Sequence, residues 1–361
     1  MKENIYIFLP TGKKGASSRY RVIQYNNELL KNFNIYINEF LDDAIYDKWK
    51  ENNLKSIFLK LPNRIIKTIL FARKIPNKST ILIHRDILPF GNMWIERYLK
   101  RKKCNIIVDL DDAIFLEDTS EISNKKNKIF YNIKYGKRYN TLFNISNKII
   151  CGNSYLESYV KKFCDKTIII PTVIDTSKVK IKKYSNNKKD FSIVWIGNPG
   201  NTGYIIEILS IIDSLAIKLE IIIEINLIGA KRFDVSGYNN LNFIFNEWSL
   251  ENEYNLIKKS DIGIMPLKDS EWAKGKCALK LLQYMAAGLP VIGSNVGENK
   301  HVIIEGENGF LAKDEQEWFN NIKYFIENRD EIPKMGINAR EFVDQKYSLD
   351  LWKNSIVDFI K

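Results

Sequence analysis

Three lysines, Lys274, Lys276 and Lys280, stand just before and inside an apolar run that stops at Gly288, ahead of Pro290 and a short β-branched stretch. Leu279, Leu282, Met285 and Ala286 recur at helical spacing and predict a core-facing side. Lys276 and Lys280 are four residues apart, a spacing that puts both on one face at the front of such a helix. Free backbone N–H groups and the macrodipole draw phosphate to a helix N-terminus, and a lysine there adds a full charge. These residues describe either solvated lysines before an ordinary helix stop or a clamp for a nucleotide diphosphate.

Other segments carry side chains suited to a site. Gly12-Lys-Lys-Gly-Ala-Ser-Ser-Arg-Tyr-Arg21 follows a first strand. Glycines and small hydroxyls before a helix can cradle a phosphate or a hydroxyl group. Ser18, Arg19 and Arg21 can bind an acceptor phosphate there, or reach a nucleotide across a cleft, and the alternative is a flexible basic loop. The spacing excludes a Walker A loop. Trp195-Ile-Gly-Asn-Pro-Gly-Asn-Thr-Gly-Tyr204 reads as strand, loop and helix start, in which bare backbone at Gly197, Gly200 and Gly203 beside Asn198 would let a diphosphate approach the amides. Asp109-Leu-Asp-Asp112 ends another strand, and alternation sends Asp109 and Asp111 to one face. That cluster can hold a metal or orient hydroxyl groups, with a plain loop cap as the bland reading. His84 also follows a strand, beside Arg85 and Asp86, and is either structural or part of a site. Trp248 follows one too, where a core role fits.

The elements that must position these groups alternate throughout. The first half holds strand patterns at Ile5–Leu9, Ile35–Asn38, Thr80–His84, Asn105–Asp109, Lys148–Cys151 and Thr167–Ile170. The second half holds them at Ser192–Ile196, Glu220–Ile228, Asn242–Phe245, Ile262–Met265, Val291–Gly293 and Gly309–Ala312. Helical patterns between them predict an α/β protein with parallel sheets. The polar, aperiodic stretch Lys178–Asp190 reads as a linker, and Ser123–Lys128 as an exposed loop. The expected division is residues 1–175 as one Rossmann-like domain and 176–345 as a second, facing each other across a cleft. Ligands of such sheets lie beyond the strand carboxyl ends.

A chain of 361 residues suits two domains better than one. Its formal charge of +12 is unevenly spread: residues 1–175 carry 31 basic against 18 acidic side chains, and residues 176–361 carry 24 against 25. A lysine-rich proteome would load both halves alike, so the first half is expected to meet a polyanion or an anionic membrane surface. Lys55–Lys74 interleaves apolar and basic residues as a bilayer surface would attract, and Arg97–Lys103 adds a second basic cluster. An ordinary core-facing helix fits the same pattern. No nucleic-acid motif or aromatic stacking platform accompanies the charge, so nucleic acid is not expected. Cys104, Cys151, Cys164 and Cys277 are scattered, and with only two histidines a zinc site is not expected; reduced thiols suit a cytoplasmic setting. The N-terminus reads as a strand rather than a signal peptide, and no apolar run approaches the ~18 residues that cross a bilayer.

The segment from Trp272 to Ile292 resembles the donor-site segment of family 4 (group 1) glycosyltransferases, which have the GT-B fold. It is most similar to a subgroup with a Gly-Lys-Cys…Lys-Leu-Leu-Gln-Tyr-Met-Ala-Ala-Gly run. Ser294, Gly297, Gly306, Asn308, Gly309 and Phe310 continue the pattern, and Ser18–Arg21, Val108–Asp112, Cys151–Ser154, Pro171–Asp175, Trp195–Asn198 and Asp261–Leu267 extend it over nearly the whole chain. The resemblance implies a crossing C-terminal helix in 346–361. It also implies a nucleotide-sugar donor on the second domain, transfer with retention, and no metal or cofactor. The donor would meet Gly197, Asn198, Gly200, Trp248, Lys276, Lys280 and Gln283.

Two departures stand out. The family's Gly-rich loop commonly carries an arginine or lysine, which residues 198–203 lack. Its two glutamates fall at Gly275 and Gln283, of which only the second can still hydrogen-bond a ribose. Asp111 stands near a position where many members have histidine, and with Asp112 it is the candidate catalytic pair. Ser18, Arg19, Arg21 and His84 would serve the acceptor side. The implied activity is transfer to a glycan or lipid-linked acceptor in surface-polysaccharide synthesis, at the inner face of the cytoplasmic membrane. A non-catalytic sugar-nucleotide-binding partner and a nucleotide-sugar epimerase are the alternatives.

Overall fold

A computed structural model describes residues 2–50, 54–116, 137–184 and 190–361. The Ser123–Lys128 stretch lies outside them. The first sheet contains β1 (Glu3–Thr11), β2 (Phe33–Leu41), β3 (Thr80–His84), β4 (Asn105–Leu110), β5 (Lys148–Cys151) and β6 (Thr167–Ile169), in the order β2-β1-β3-β4-β5-β6. The second contains β7 (Phe191–Ile196), β8 (Ile223–Ile228), β9 (Leu241–Asn246), β10 (Ile262–Met265), β11 (Val291–Ser294) and β12 (Gly309–Ala312), in the order β12-β11-β10-β7-β8-β9. Every paired strand is parallel.

Parallel strands need helical crossovers, which cover both faces and make the strands apolar on both sides. In β1, Ile5, Ile7 and Leu9 enter one core while Tyr6 and Phe8 enter the opposite one. In β7, Phe191, Ile193 and Trp195 face one core and Val194 and Ile196 the other. The same alternation places Asp109 and His84 on the Ile5 side of the first sheet, where their buried polar groups have to be met by partners. One strand starts later than its pattern predicts. Glu220 has φ +53° and closes the turn after the helix Thr202–Lys218, with Ile221 N donating to Ala216 O, so pairing begins only at Ile223.

The described part of the stretch that reads as a linker, residues 178–184, is strapped to the second domain. Lys182 N donates to Ala287 O at 2.8 Å. The Lys182 ammonium reaches Asp261 at 3.2 Å, and Tyr184 OH donates to Gly288 O at 2.6 Å. The last helix, Leu349–Ile360, leaves the second domain and packs Ile356, Val357 and Ile360 against Ile5, Ile7 and Leu9 of the first. The two crossings touch where Ile174 N donates to Tyr347 O (2.9 Å) and Leu349 N to Ile174 O (2.8 Å). In each sheet the chain reverses its direction of strand addition once, beside β1 and beside β7. Ligands of open α/β sheets sit beyond the strand ends at such points, and here the two points face each other.

Candidate functional site

A cleft between the sheets is lined by Ser17 and Arg19 after β1, Arg85 after β3, Asp111 and Asp112 after β4, Gly197 and Asn198 after β7, and Lys276, Lys280 and Gln283 after β10. It encloses about 190 Å³ and shares Lys14 and Trp248 with a neighbouring cavity of about 490 Å³ that reaches Arg232 and Phe245. Three sequence candidates do not line the cleft. Ser18 is fully buried and its hydroxyl bonds Thr11 at 2.9 Å. His84 is fully buried behind Ser17. A Cβ on Gly200 would meet nothing within 4 Å, so this glycine lies in open space outside the cleft lining. Gly197 differs, since a Cβ there would come within 2.3 Å of the Trp195 indole.

On the second-domain side the helix begins only at Leu279, because Ala278 adopts a left-handed conformation (φ +51°). Lys276 therefore sits in the preceding loop and does not share a helical face with Lys280, contrary to the spacing. Both ammonium groups still reach the cleft. Lys276 Nζ lies 3.8 Å from Asp112 and 5.4 Å from the Trp272 ring centroid. Lys280 Nζ lies 4.4 Å from the centroid of the buried Trp195 ring. Burial, and then the repulsion of Lys276, pushes Lys280 down to about 7, against the weaker pull of Asp112. A group poised in this way gains most from an incoming anion.

The first-domain side is a chain of hydrogen bonds. His84 Nδ1 meets Asp109 at 2.7 Å and Nε2 meets the Ser17 hydroxyl at 2.6 Å, which donates to Asp111 at 2.5 Å. Arg85 donates to Asp111 at 2.7 Å and to Asp112 at 2.6 Å. Burial favours a neutral Asp111, but Arg85 and His84 override it and hold the carboxyl well below the usual range. A carboxylate so held is a weak base and a stable negative charge. Arg21 is spent elsewhere. It donates twice to the fully buried Asp109 and once to Ile170 O at 2.7 Å, which fastens β4 to β6 and leaves little of it for an acceptor phosphate.

Across the cleft Arg19 donates to both oxygens of Glu253, at 2.8 and 3.2 Å. Tyr20 OH donates to Glu253 at 3.0 Å, Trp248 Nε1 at 2.8 Å, and Gln283 Nε2 donates to Tyr20 OH at 3.2 Å. Arg19 is thus held against the second domain, with its guanidinium 5.1 Å from the Trp248 ring centroid. Sequence reasoning missed Glu253 and Ser17. Glu253 opens the short helix Glu253–Ile257, where an acidic residue is ordinary. Ser17 is one of two adjacent serines, and only the helix phase of Ala16–Arg21 sends it outward and Ser18 inward. No local signal separates them.

Residues 192–328 match the family described as "Glycosyl transferases group 1". An uncharacterized glycosyltransferase of Methanocaldococcus jannaschii, MJ1069, is 25% identical over 283 residues, covering 73% of this chain and 69% of that protein. Sucrose-phosphate synthase from Thermosynechococcus elongatus superposes with TM-score 0.72 at 14% identity, over 99% of this chain and 98% of the other. Anabaena Alr3699/HepE, solved in complex with UDP-glucose, gives TM-score 0.67 at 13% identity over 98% of each chain. At such identities the structural likeness concerns the fold, which is GT-B.

Proposed function

We propose that this chain, whose residues 192–328 match the group 1 glycosyl transferases, moves a sugar from a nucleotide-sugar donor to a glycan or lipid-linked acceptor in surface-polysaccharide synthesis, with retention and without a cofactor. The carrying observation is Lys280, an ammonium desolvated at the mouth of a parallel sheet with its acidic neighbour Asp112 already paired to Arg85. A diphosphate is the ligand chemistry that such a group answers. In this reading Lys280, Lys276 and the bare backbone at Gly197 hold the leaving diphosphate, Gln283 the ribose, and Trp248 the base. Asp111, fixed as an anion, faces the positive charge that develops at the anomeric carbon and orients the acceptor hydroxyl, with Asp112 beside it. His84 and Ser17 hold Asp111 in place. Gly275, which stands where the family has a glutamate, packs against Ala113 of the first domain.

The test is purified protein with UDP- and GDP-sugars. A bound donor at 100-fold excess over its Kd stabilises the fold by about 2.7 kcal/mol, and release of nucleoside diphosphate with a lipid-linked acceptor completes the case. Binding without turnover would favour a non-catalytic subunit, and an epimerised sugar from donor alone an epimerase.

The acceptor side is proposed to rest on an anionic membrane. Among the described residues no helix is long and apolar enough to cross one. The helix Leu54–Lys74 instead turns Leu61, Ile65 and Ile69 to the core and leaves Leu59, Ile66 and Leu70 83%, 54% and 49% exposed on one stripe. Lys55, Lys60, Lys67 and Arg73 are exposed around that stripe, whereas Arg64 turns in to Phe40 O. The second basic cluster adjoins the helix end, since Lys102 Nζ donates to Arg73 O at 3.3 Å and Lys78 N to Lys102 O at 3.0 Å. Each basic side chain at such a surface contributes roughly 1 kcal/mol. Flotation with phosphatidylserine vesicles at low salt is expected to carry the protein up. Phosphatidylcholine vesicles, or the variant Ile66→Glu with Lys67→Glu, should leave it at the bottom. Equal flotation of variant and wild type would sink this part of the proposal.

A further inference from the structure

The loop that bears Lys276 is held by the other domain. Asn153 Nδ2 donates to the carbonyls of Lys274 at 3.3 Å and Lys276 at 3.2 Å. The buried Cys277 thiol donates to Asp111 O at 3.2 Å. Gly275 lies flat on Ala113, where a Cβ would come within 2.5 Å of the alanine Cβ and 2.8 Å of its backbone nitrogen. Gly152 makes the reciprocal room, since a Cβ there would meet the Cys277 sulfur at 2.3 Å. A glutamate at 275 would pry this contact apart, which is the physical reason for glycine at that position.

The Asn153 amide faces two ways. Its oxygen accepts from Leu156 N at 2.9 Å and caps the helix Ser154–Val160, while its nitrogen serves the second domain. It is 3% exposed, so neither bond is exchanged freely with water. The loop it grips has no helical scaffold of its own between Gly275 and Ala278, and the Lys276 ammonium projects from it to within 3.8 Å of Asp112.

We infer that Asn153 is a positioning residue for donor binding: it presents Lys276 to the diphosphate only while the two domains are closed, so that gripping the diphosphate and closing the cleft are one event. This rests on the proposed diphosphate site. The apparent affinity of a site that exists in one conformation scales with the population of that conformation, so a weakened latch lowers affinity although Lys276 and Lys280 are intact.

Asn153→Asp separates the two roles. Aspartate keeps the capping oxygen, and as an N-cap it equals asparagine. It removes the donor and points an anion at two carbonyls. Asn153→Ser keeps a cap and withdraws the amide, its shorter hydroxyl staying at the cap, without the repulsion, and Gly275→Ala lifts the loop off Ala113 without touching the cap. Expected results are a near-wild-type melting temperature for Asn153→Ser and a lower one for Asn153→Asp, whose carboxylate lacks a partner, with for both a larger radius of gyration by small-angle scattering and UDP or GDP binding weaker by about tenfold, the loss of one to two hydrogen bonds. The donor KM should rise while kcat at saturation is kept. Lys276→Ala should cost less affinity in the Asn153→Asp background than alone, because the two share one coupling. Folded Asn153 and Gly275 variants that bind UDP and GDP as tightly as wild type overturn the positioning role. Wild-type protein that binds neither nucleotide overturns the parent reading and this one with it.

Discussion

Lys280→Met is expected to bind a nucleoside diphosphate about 10²-fold more weakly than wild type, the weight of a charge-assisted hydrogen bond, while melting at a higher temperature. The two effects have one cause. The ammonium lies over the Trp195 ring, and its acidic neighbour Asp112 is already held by Arg85 at 2.6 Å. Without ligand, the folded protein carries a desolvated cation, and a methionine of similar shape removes that penalty.

The sign with pH follows from the shift to about 7. Below that value Lys280 is charged in the free protein and adds no slope of its own to the affinity. Above it the free lysine is neutral, a bound diphosphate raises its pKa, and each complex takes up a proton. Affinity then falls as pH rises, by up to tenfold per unit, until the pH reaches the value of the bound form. Stability of the free protein runs the other way. The unfolded lysine titrates near 10.4, so the penalty is complete below about 7 and fades as pH climbs towards 10. Calorimetry from pH 6 to 9 in buffers of different ionisation enthalpy reads the proton directly, and thermal melts read the stability. Lys280→Met should lack both slopes. Undiminished affinity in that variant, or binding without proton uptake at pH 8, would count against the clamp.

Asp111→Asn should lower kcat by about 10²- to 10³-fold, the range for loss of one preorganised electrostatic group, and leave the donor KM within a few-fold. Asparagine still accepts from Arg85 and Arg85 keeps Asp112, but the charge that stabilises the folded state is gone, so the variant should melt at a lower temperature and its kcat is to be read well below that melt. The pH profile discriminates between a stabilising anion and a general base. Since Asp111 is held well below the ordinary carboxylate range, its charge persists to pH values at which an ordinary carboxylate is protonated. The wild-type rate should show no acid limb down to about pH 4, whereas a general base poised for proton transfer titrates near its working pH. An acid limb near pH 6 that vanishes in Asp111→Asn would return the residue to the role of base.

The architecture was legible because period and composition are local. Strand patterns at Ile5–Leu9, Ser192–Ile196 and their ten companions correspond to β1–β12, as a run apolar on both faces demands a parallel sheet with helices on each side. Placement was legible for the same reason: Gly197 and Asp111 stand just past strand ends and Lys280 at the start of a helix, where the pattern changes, and those points line the cleft. Pairing was not. Arg19 and Arg21 look alike in the chain, yet one meets Glu253, 234 residues on, and the other Asp109, 88 residues on. Ala278 has no feature that announces its left-handed turn, so the spacing of Lys276 and Lys280 promised a shared helical face that the chain does not make. Glycine at 275 looked like a lost carboxylate until Ala113 came to lie against it. Periodicity is written along the backbone and can be read there. Which cation meets which anion, and which glycine is compressed by a neighbour, depends on distances between segments far apart in the chain, and those exist only once both domains have packed.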